Sequence, residues 1–221
     1  MHTLGIVVPA YRKHFQFLTR MLSSIAANTI LPNIVTISCS GCLPSDPTLD
    51  NIKQLSYPFP IIWTISEDNH NIATNRNIAA KLIDTTILSF MDADDMAQCQ
   101  RHEYIIETFK HPDTTAVVHN YWRDTNLELP KTIHTAPDIY RNYLDMHRPH
   151  ANGIQPSSPV HPLPIWYHGG HISILRQIYL NLPSNEDPKL AGAEDTWYLE
   201  ELIRQGYKIT YIHNKLSLYI H

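Results

Sequence analysis

The chain has 221 residues, with 17 Lys+Arg against 21 Asp+Glu and a formal net charge of −4. That length suits one large domain, and 43% hydrophobic residues are enough for a sizeable core, which excludes a disordered chain. Mild acidity without a basic block excludes the electrostatic footprint of a nucleic-acid binder or of a protein drawn to anionic membranes. Three cysteines, Cys39, Cys42 and Cys99, cannot make a disulfide framework, and they read as small hydrophobes in a reducing compartment. The N-terminus carries no basic segment followed by a long apolar one, and no stretch approaches the ~20 apolar residues of a transmembrane helix. A cytoplasmic location is therefore expected. Two counts stand out, 7 Gly and 14 His.

In chain order, Leu4–Val8 is a short apolar run ended by Pro9, the signature of a buried strand. Phe17, Leu18, Met21, Leu22 and Ile25 recur at helical spacing. Ile34–Ile37 reads as a second strand, followed by a turn-rich stretch from Ser38 to Pro47, and Ile61–Ile65 as a third. Ile72, Ile78, Ala79, Leu82 and Ile83 predict another helix, and Thr86–Met91 a fourth strand. Strands alternating with helices of this length predict an α/β domain with a mostly parallel sheet flanked by helices. Right-handed crossovers gather the carboxyl ends of such strands on one edge, where ligands of open α/β sheets bind. From Asp124 to Trp166 the periodicity fades and prolines are dense, which predicts a long functional loop. Order returns with strand Ile172–Leu175. A helix after Glu194 then buries Tyr198, Leu199, Leu202 and Ile203 and stops at Gly206, before strand Lys208–Ile212.

The hexapeptide Phe90-Met91-Asp92-Ala93-Asp94-Asp95 delivers three carboxylates to that edge. Crowding them costs repulsion that a cation relieves, and hard ions such as Mg²⁺ and Mn²⁺ take oxygen ligands. On extended backbone Asp92 and Asp94 face one way and Ala93 the other. Alone, the cluster reads equally well as a solvated turn whose Asp94 or Asp95 caps a helix. Among enzymes it fits either a phosphatase of the haloacid dehalogenase type or a nucleotide-sugar transferase. The first expects Thr or Val where Met96 stands and places its acids after the first strand. Other segments carry chemistry too. Tyr11 follows the first strand and can stack on a base. Asn71-Ile72-Ala73-Thr74-Asn75-Arg76-Asn77 puts a guanidinium, suited to phosphate, at a helix start, and Gly192-Ala193-Glu194-Asp195 opens the late helix.

Taken in order, these four pieces resemble the inverting glycosyltransferases of family 2. In that family a strand ends in Val-Pro-x-Tyr or Asn, an Ala-Arg-Asn segment and Asp-x-Asp-Asp follow, and Glu-Asp lies on a late helix. The resemblance implies a single GT-A domain over residues 1–221, with a nucleotide-sugar half at 1–120 and an acceptor half at 121–221. It implies transfer of a sugar from a nucleoside diphosphate, UDP- or dTDP-linked, to a hydroxyl of a glycan or other acceptor, with Mn²⁺ or Mg²⁺ as cofactor. Pro9, Tyr11, Ser38, Asp68, Asn71, Arg76, Asp92 and Ala93 would bind the nucleotide sugar. Asp94 with Asp92 and a late His, His221 in preference to His213, would hold the metal. Asp195 would be the general base, with Glu194 at the acceptor. Two departures stand out. Ser38-Cys39-Ser40-Gly41 replaces an acidic Asp-Asp-Gly-Ser-like turn, and the glycine after the third strand is absent, with Asn71 expected to adopt left-handed backbone in its place. His168-Gly169-Gly170-His171 permits close backbone approach to a sugar, with imidazoles at both ends, and with Trp122 it is the candidate acceptor or sugar pocket. The alternatives are a nucleotide- or glycan-binding module without turnover, or a metal-dependent phosphohydrolase or nucleotidyltransferase.

Overall fold

The computed structural model describes residues 2–124, 155–156, 168–190 and 192–220. Its strands are β1 (Leu4–Tyr11), β2 (Ile34–Ser40), β3 (Ile61–Ser66), β4 (Ile87–Phe90), β5 (Met96–Ala97), β6 (Ala116–Asp124), β7 (Gln155–Pro156), β8 (Ile172–Leu175) and β9 (Ile209–Ile220). They form one sheet in the order β3-β2-β1-β4-β8-β6-β9-β5, with β7 added on β9. The first four strands are mutually parallel, as are β6 and β9, so most paired positions are parallel. β8 enters antiparallel between β4 and β6, and the short β5 and β7 are antiparallel to β9. The mostly parallel, helix-flanked α/β sheet matches the expectation from periodicity.

Alternation along the strands splits the core into two layers. Leu4, Ile6, Val8 and Ala10 of β1 point to one face. There they pack with helices α1 (Phe15–Ala26), α2 (Pro47–Lys53) and α4 (Arg101–Phe109). Val7, Leu88, Phe90 and Ile174 point to the other, against α3 (Ile72–Lys81), α5 (Arg176–Asn181) and α6 (Glu194–Arg204). Gly5 lies on this second face, where a Cβ would collide with Ile83 and Thr85. Gly206, at φ +81°, follows the last turn of α6, as its position in the sequence predicts.

Several elements differ from the periodicity reading, among them β6, which it does not predict, and β9, which runs past Ile212 to Ile220; three others have a clear local cause. β1 does not stop at Pro9 but runs on to Tyr11. The Val7 carbonyl accepts from the Met91 N–H at 3.0 Å on the β4 side, and Pro9, two residues on, faces that same side. The β1–β4 ladder ends at Val7, so the missing Pro9 N–H interrupts no pairing. The turn-rich stretch after β2 ends in α2, whose Asp46 cap accepts from Thr48 N–H and whose first position is Pro47. Finally, α4 escapes an apolar search because it buries Arg101 and His102 alongside Ile105 and Phe109. Among the described residues no helix is long and apolar enough to cross a membrane.

Candidate active site

The carboxyl ends of β1, β2 and β4 open onto the N-termini of α3 and α6, and the site is built there. At its centre lies Arg76, from the first turns of α3, with a side chain only 4% exposed. Its Nη1 donates to Asp195 Oδ1 at 2.6 Å and its Nη2 to Asp92 Oδ1 at 3.1 Å. One guanidinium thus clamps the first acid of the strand-end motif to the acid that opens α6. Burial opposes the charge on Arg76, but the two carboxylates outweigh it and hold the guanidinium above its ordinary pKa. Burial likewise would raise Asp92, yet Arg76 and His168 hold it below the usual carboxylate range. The second Asp195 oxygen accepts from Gly169 N–H at 2.6 Å.

The His168–His171 segment wraps this clamp. A Cβ on Gly169 would overlap the Arg76 guanidinium and the Asp195 carboxylate, and one on Gly170 would press on Asp92 at 3.0–3.1 Å. The two glycines therefore admit backbone against the charged clamp. His168 Nδ1 stands 3.1 Å from Asp92 Oδ2. Burial pulls the imidazole pKa down, but the hydrogen bond and charge of Asp92 prevail and raise it. His171 is buried, and burial with the positive charge of its neighbours keeps it neutral, far below the ordinary histidine value. Tyr121 lies 4.5 Å from the His171 ring and Tyr219 lies 4.3 Å from the His168 ring, centroid to centroid.

Beyond β4 the chain turns, with Asp95 N–H donating to the Asp92 carbonyl at 3.2 Å. This turn, in place of extended backbone, gives the three acids different surroundings. Asp92 faces Arg76 and His168. Asp94 is a third exposed, with His14 Nε2 at 4.0 Å from its carboxylate and Arg20 donating to its backbone carbonyl at 2.7 Å. That open carboxylate fits a hard cation. Asp95 is fully buried, and burial and then the Asp92 charge raise its pKa well above the carboxylate range. It accepts from Ile220 N–H at 3.3 Å, tying the end of β9 to the acidic turn. One ligand atom from each of Asp95, His168 and His171 lies within 4.8 Å of the other two, a group able to hold a metal ion.

The remaining expected residues spread around this centre. Ser38 is buried and donates to Asn75 Oδ1 at 3.0 Å, while Asn75 Nδ2 donates to Ser40 Oγ at 2.9 Å. The Tyr11 hydroxyl also bonds Asn75, and its ring packs edge-on to His14. Asp68 is exposed, and its carbonyl accepts from Gly41 N–H at 3.0 Å. Asn71 is not left-handed. At φ −74° and ψ 170° it caps α3, accepting from Thr74 N–H at 2.8 Å. Pro9 lies within β1, and the Ala93 side chain is sealed in the core. Glu194 is buried and accepts from Gly192 N–H at 2.7 Å. Trp122 is also buried, with the Lys215 ammonium 5.9 Å from its ring. His221 and Trp166 lie outside the described residues, as does most of the proline-rich stretch.

The sequence model of Glycosyl transferase family 2 matches residues 5–165, well over half of the chain. The chain belongs to this family. Solved structures agree on the fold. S. aureus TarS 1–349 in complex with UDP superposes with a TM-score of 0.71 at 14% identity, covering 99% of this chain and 60% of that one. The same protein with UDP-GlcNAc gives 0.72 at 14%, over 99% and 58%. The mannosyltransferase PcManGT from Pyrobaculum calidifontis, in complex with GDP-Man and Mn²⁺, gives 0.67 at 14%, over 99% and 56%. At such identity the likeness establishes the GT-A glycosyltransferase fold, and this chain spans less than two thirds of each of these structures. Comparison with curated proteins by sequence finds no significant match.

Within this family 2 domain, sequence reasoning passed over several groups that the fold brings to the site. Asp95 carries a signal, as the third carboxylate of the strand-end motif, but the motif gives it no ligand of its own. Arg101 and His119 carried none. They come from α4 and β6, and Arg101 Nε donates to His119 Nε2 at 3.2 Å while its Nη2 reaches the Phe90 and Gly170 carbonyls at 2.7 and 3.3 Å.

Proposed function

We propose that this chain transfers a sugar from a nucleoside diphosphate, UDP- or dTDP-linked, to a hydroxyl of a glycan or other acceptor, with inversion at the anomeric carbon. The observation that carries this reading is the Arg76 clamp, which brings Asp195 beside Asp92 of the Asp-x-Asp turn. In this reading the residue expected as base stands next to the acids expected at the diphosphate, which supports transfer. Family membership, the UDP and UDP-GlcNAc held by TarS and the GDP-Man held by PcManGT all support a nucleotide-sugar donor.

In this reading Asp195 takes the acceptor hydroxyl proton as oxygen attacks from the face opposite the diphosphate, a contribution of roughly 10²–10⁴-fold. Arg76 holds Asp195 in place through the 2.6 Å hydrogen bond to its Oδ1. Tyr11, at the end of β1, stacks on the base, and Glu194 orients the acceptor side. Asp94, with Asp92 and the late His221, holds Mn²⁺ or Mg²⁺. PcManGT's Mn²⁺ and the open Asp94 carboxylate support that assignment. When bound, the ion neutralises the charge that builds on the departing diphosphate.

A binding module without turnover is the second reading. It is favoured by one fact: both Asp195 oxygens already accept hydrogen bonds. A panel of UDP, GDP and dTDP with their sugars, read by thermal shift and by product formation, separates the two. We expect a rise in melting temperature only with Mn²⁺ or Mg²⁺ present. We also expect transfer by the wild type that Asp195→Asn abolishes without losing the shift. No shift with any nucleotide removes the donor site, and a shift without transfer leaves the binding module.

A further inference from the structure

Beneath the exposed acid of the strand-end turn lies a second, more enclosed group of ligands. Asp95 and His171 have side chains 0% and 1% exposed, so neither reaches bulk water. Among the described residues, Asp95 Oδ2 and both ring nitrogens of His171 nevertheless make no hydrogen bond. Buried polar atoms are seldom left this way, because each forfeits its hydration. The two groups face each other, with His171 Nε2 3.4 Å from Asp95 Oδ2. A charge-assisted hydrogen bond between them would close to about 2.7–2.9 Å. A tetrahedral zinc ion with bonds of about 2.0–2.1 Å spaces its ligand atoms roughly 3.3–3.4 Å apart. The observed 3.4 Å matches the spacing of two ligands of one ion.

A third ligand completes the set, since His168 also offers an atom within 4.8 Å of the other two. Its side chain is 25% exposed, which gives an ion a way in, and Nδ1 stands 3.1 Å from Asp92 Oδ2. The cations nearby are engaged elsewhere: Arg76 with Asp92 and Asp195, and Arg101 with the Phe90 and Gly170 carbonyls and His119. The donor set, two imidazoles and one carboxylate, suits zinc and its neighbours in the transition series better than magnesium, which prefers oxygen.

We infer that Asp95, His168 and His171 form an inner site for a divalent transition ion of the zinc class. It is distinct from the hard-cation position at Asp94 and is filled without nucleotide. Three protein ligands leave one position for water. The inner ion joins the acidic turn after β4 to the His168–His171 segment, and so braces the backbone that supports Arg76 and Asp195.

The test uses the full chain, stripped with chelator, dialysed and titrated with Co²⁺ in the absence of nucleotide. We expect about one equivalent to develop the visible absorption bands of a four- or five-coordinate cobalt ion, bleached by an equivalent of Zn²⁺. Asp95→Asn and His171→Gln should each lose the bands and weaken binding at least tenfold, while Asp94→Asn should retain them. Absence of the bands in folded wild type overturns the site, a result that stands even if a variant fails to fold. Bands that survive both substitutions, or that vanish in Asp94→Asn, place the ion elsewhere and also overturn it. Because no nucleotide is present, failure here leaves the nucleotide thermal shift, and the reading of the donor site, untouched.

Discussion

Two groups of buried polar side chains sit at the carboxyl edge of the sheet, and they are finished differently. In the parallel half, Ser38, Ser40, Asn75 and Tyr11 close on one another, with each hydroxyl meeting the carboxamide of Asn75. In the mixed half, Arg101 and His119 are bonded, but Asp95 and His171 have atoms with no hydrogen-bond partner among the described residues. The first group is a neutral network satisfied from within, and its effect is to fix β2 against α3. The second holds ionisable groups in a low dielectric with unmet capacity, an arrangement that stability alone does not favour. Between them lies Arg76, bonded on both sides and bridging the halves. The contrast separates what the fold needs to stand from what it holds ready for a ligand.

The bridge is where the comparison breaks most severely. Arg76→Met leaves the buried Asp92 and the part-buried Asp195 without the guanidinium they share. We expect a loss of about 3–5 kcal/mol in urea unfolding, with transfer abolished. Arg76→Lys restores charge but not the two-pronged geometry and should recover only part of the stability. If both variants unfold within about 1 kcal/mol of wild type, the clamp is no more than a surface-type ion pair.

A second test acts on the histidine-rich half through pH. His102 is buried on α4, with Nδ1 2.8 Å from the Ile30 carbonyl, and burial together with Arg101 lowers its pKa to about 3. The unfolded chain binds this proton near the ordinary value of about 6.5, whereas the folded chain resists it. The stability His102 leaves intact above that value is therefore lost as pH falls from about 6.5 toward 3, at up to about 1.4 kcal/mol per pH unit. His102→Asn, whose amide can reach the same carbonyl, should flatten the slope of unfolding free energy between about pH 6.5 and 4.5. An unchanged slope assigns the acid sensitivity to other groups.

How much of this was legible follows from what each element buries. The first four strands announced themselves as short apolar runs, and α6 because Tyr198, Leu199 and Leu202 fall on one side. The helix α4 did not, since Arg101 and His102 occupy core positions that a periodicity search counts as polar. At the site, the acids were visible as motifs, but their joint partner was not. Arg76 reads as a phosphate ligand when only its own segment is seen, and its engagement with Asp195 depends on a crossover that spacing does not encode. Asn71 shows the same limit on a smaller scale. Asn is compatible both with left-handed backbone and with a helix cap, and the start of α3 immediately after it selects the cap.

Gly169→Ala probes the clamp without removing a charge. The added methyl would overlap both Arg76 and Asp195, so one of them must move. Overpacking of this kind costs about 1–3 kcal/mol, and a displaced base should lower transfer about 10- to 100-fold. The metal-dependent nucleotide shift should remain, because Asp195, the more exposed of the two, is the group free to yield. Loss of the shift with transfer preserved would reverse the assignment of the two sides.

The closed network predicts the smallest effect and the most particular pattern. Asn75→Ala alone strands the hydroxyls of Ser38, Ser40 and Tyr11, and leaving buried partners unpaired costs about 1–2 kcal/mol. Ser38→Ala and Ser40→Ala each remove one partner of a side chain that keeps others and should cost less. The three substitutions made together remove the Asn75 carboxamide and both serine hydroxyls, so their combined cost should fall below the sum of the single costs. A strictly additive result in urea unfolding would mean that these groups act independently. The contrast with the open group around Asp95 and His171 would then lose its closed member.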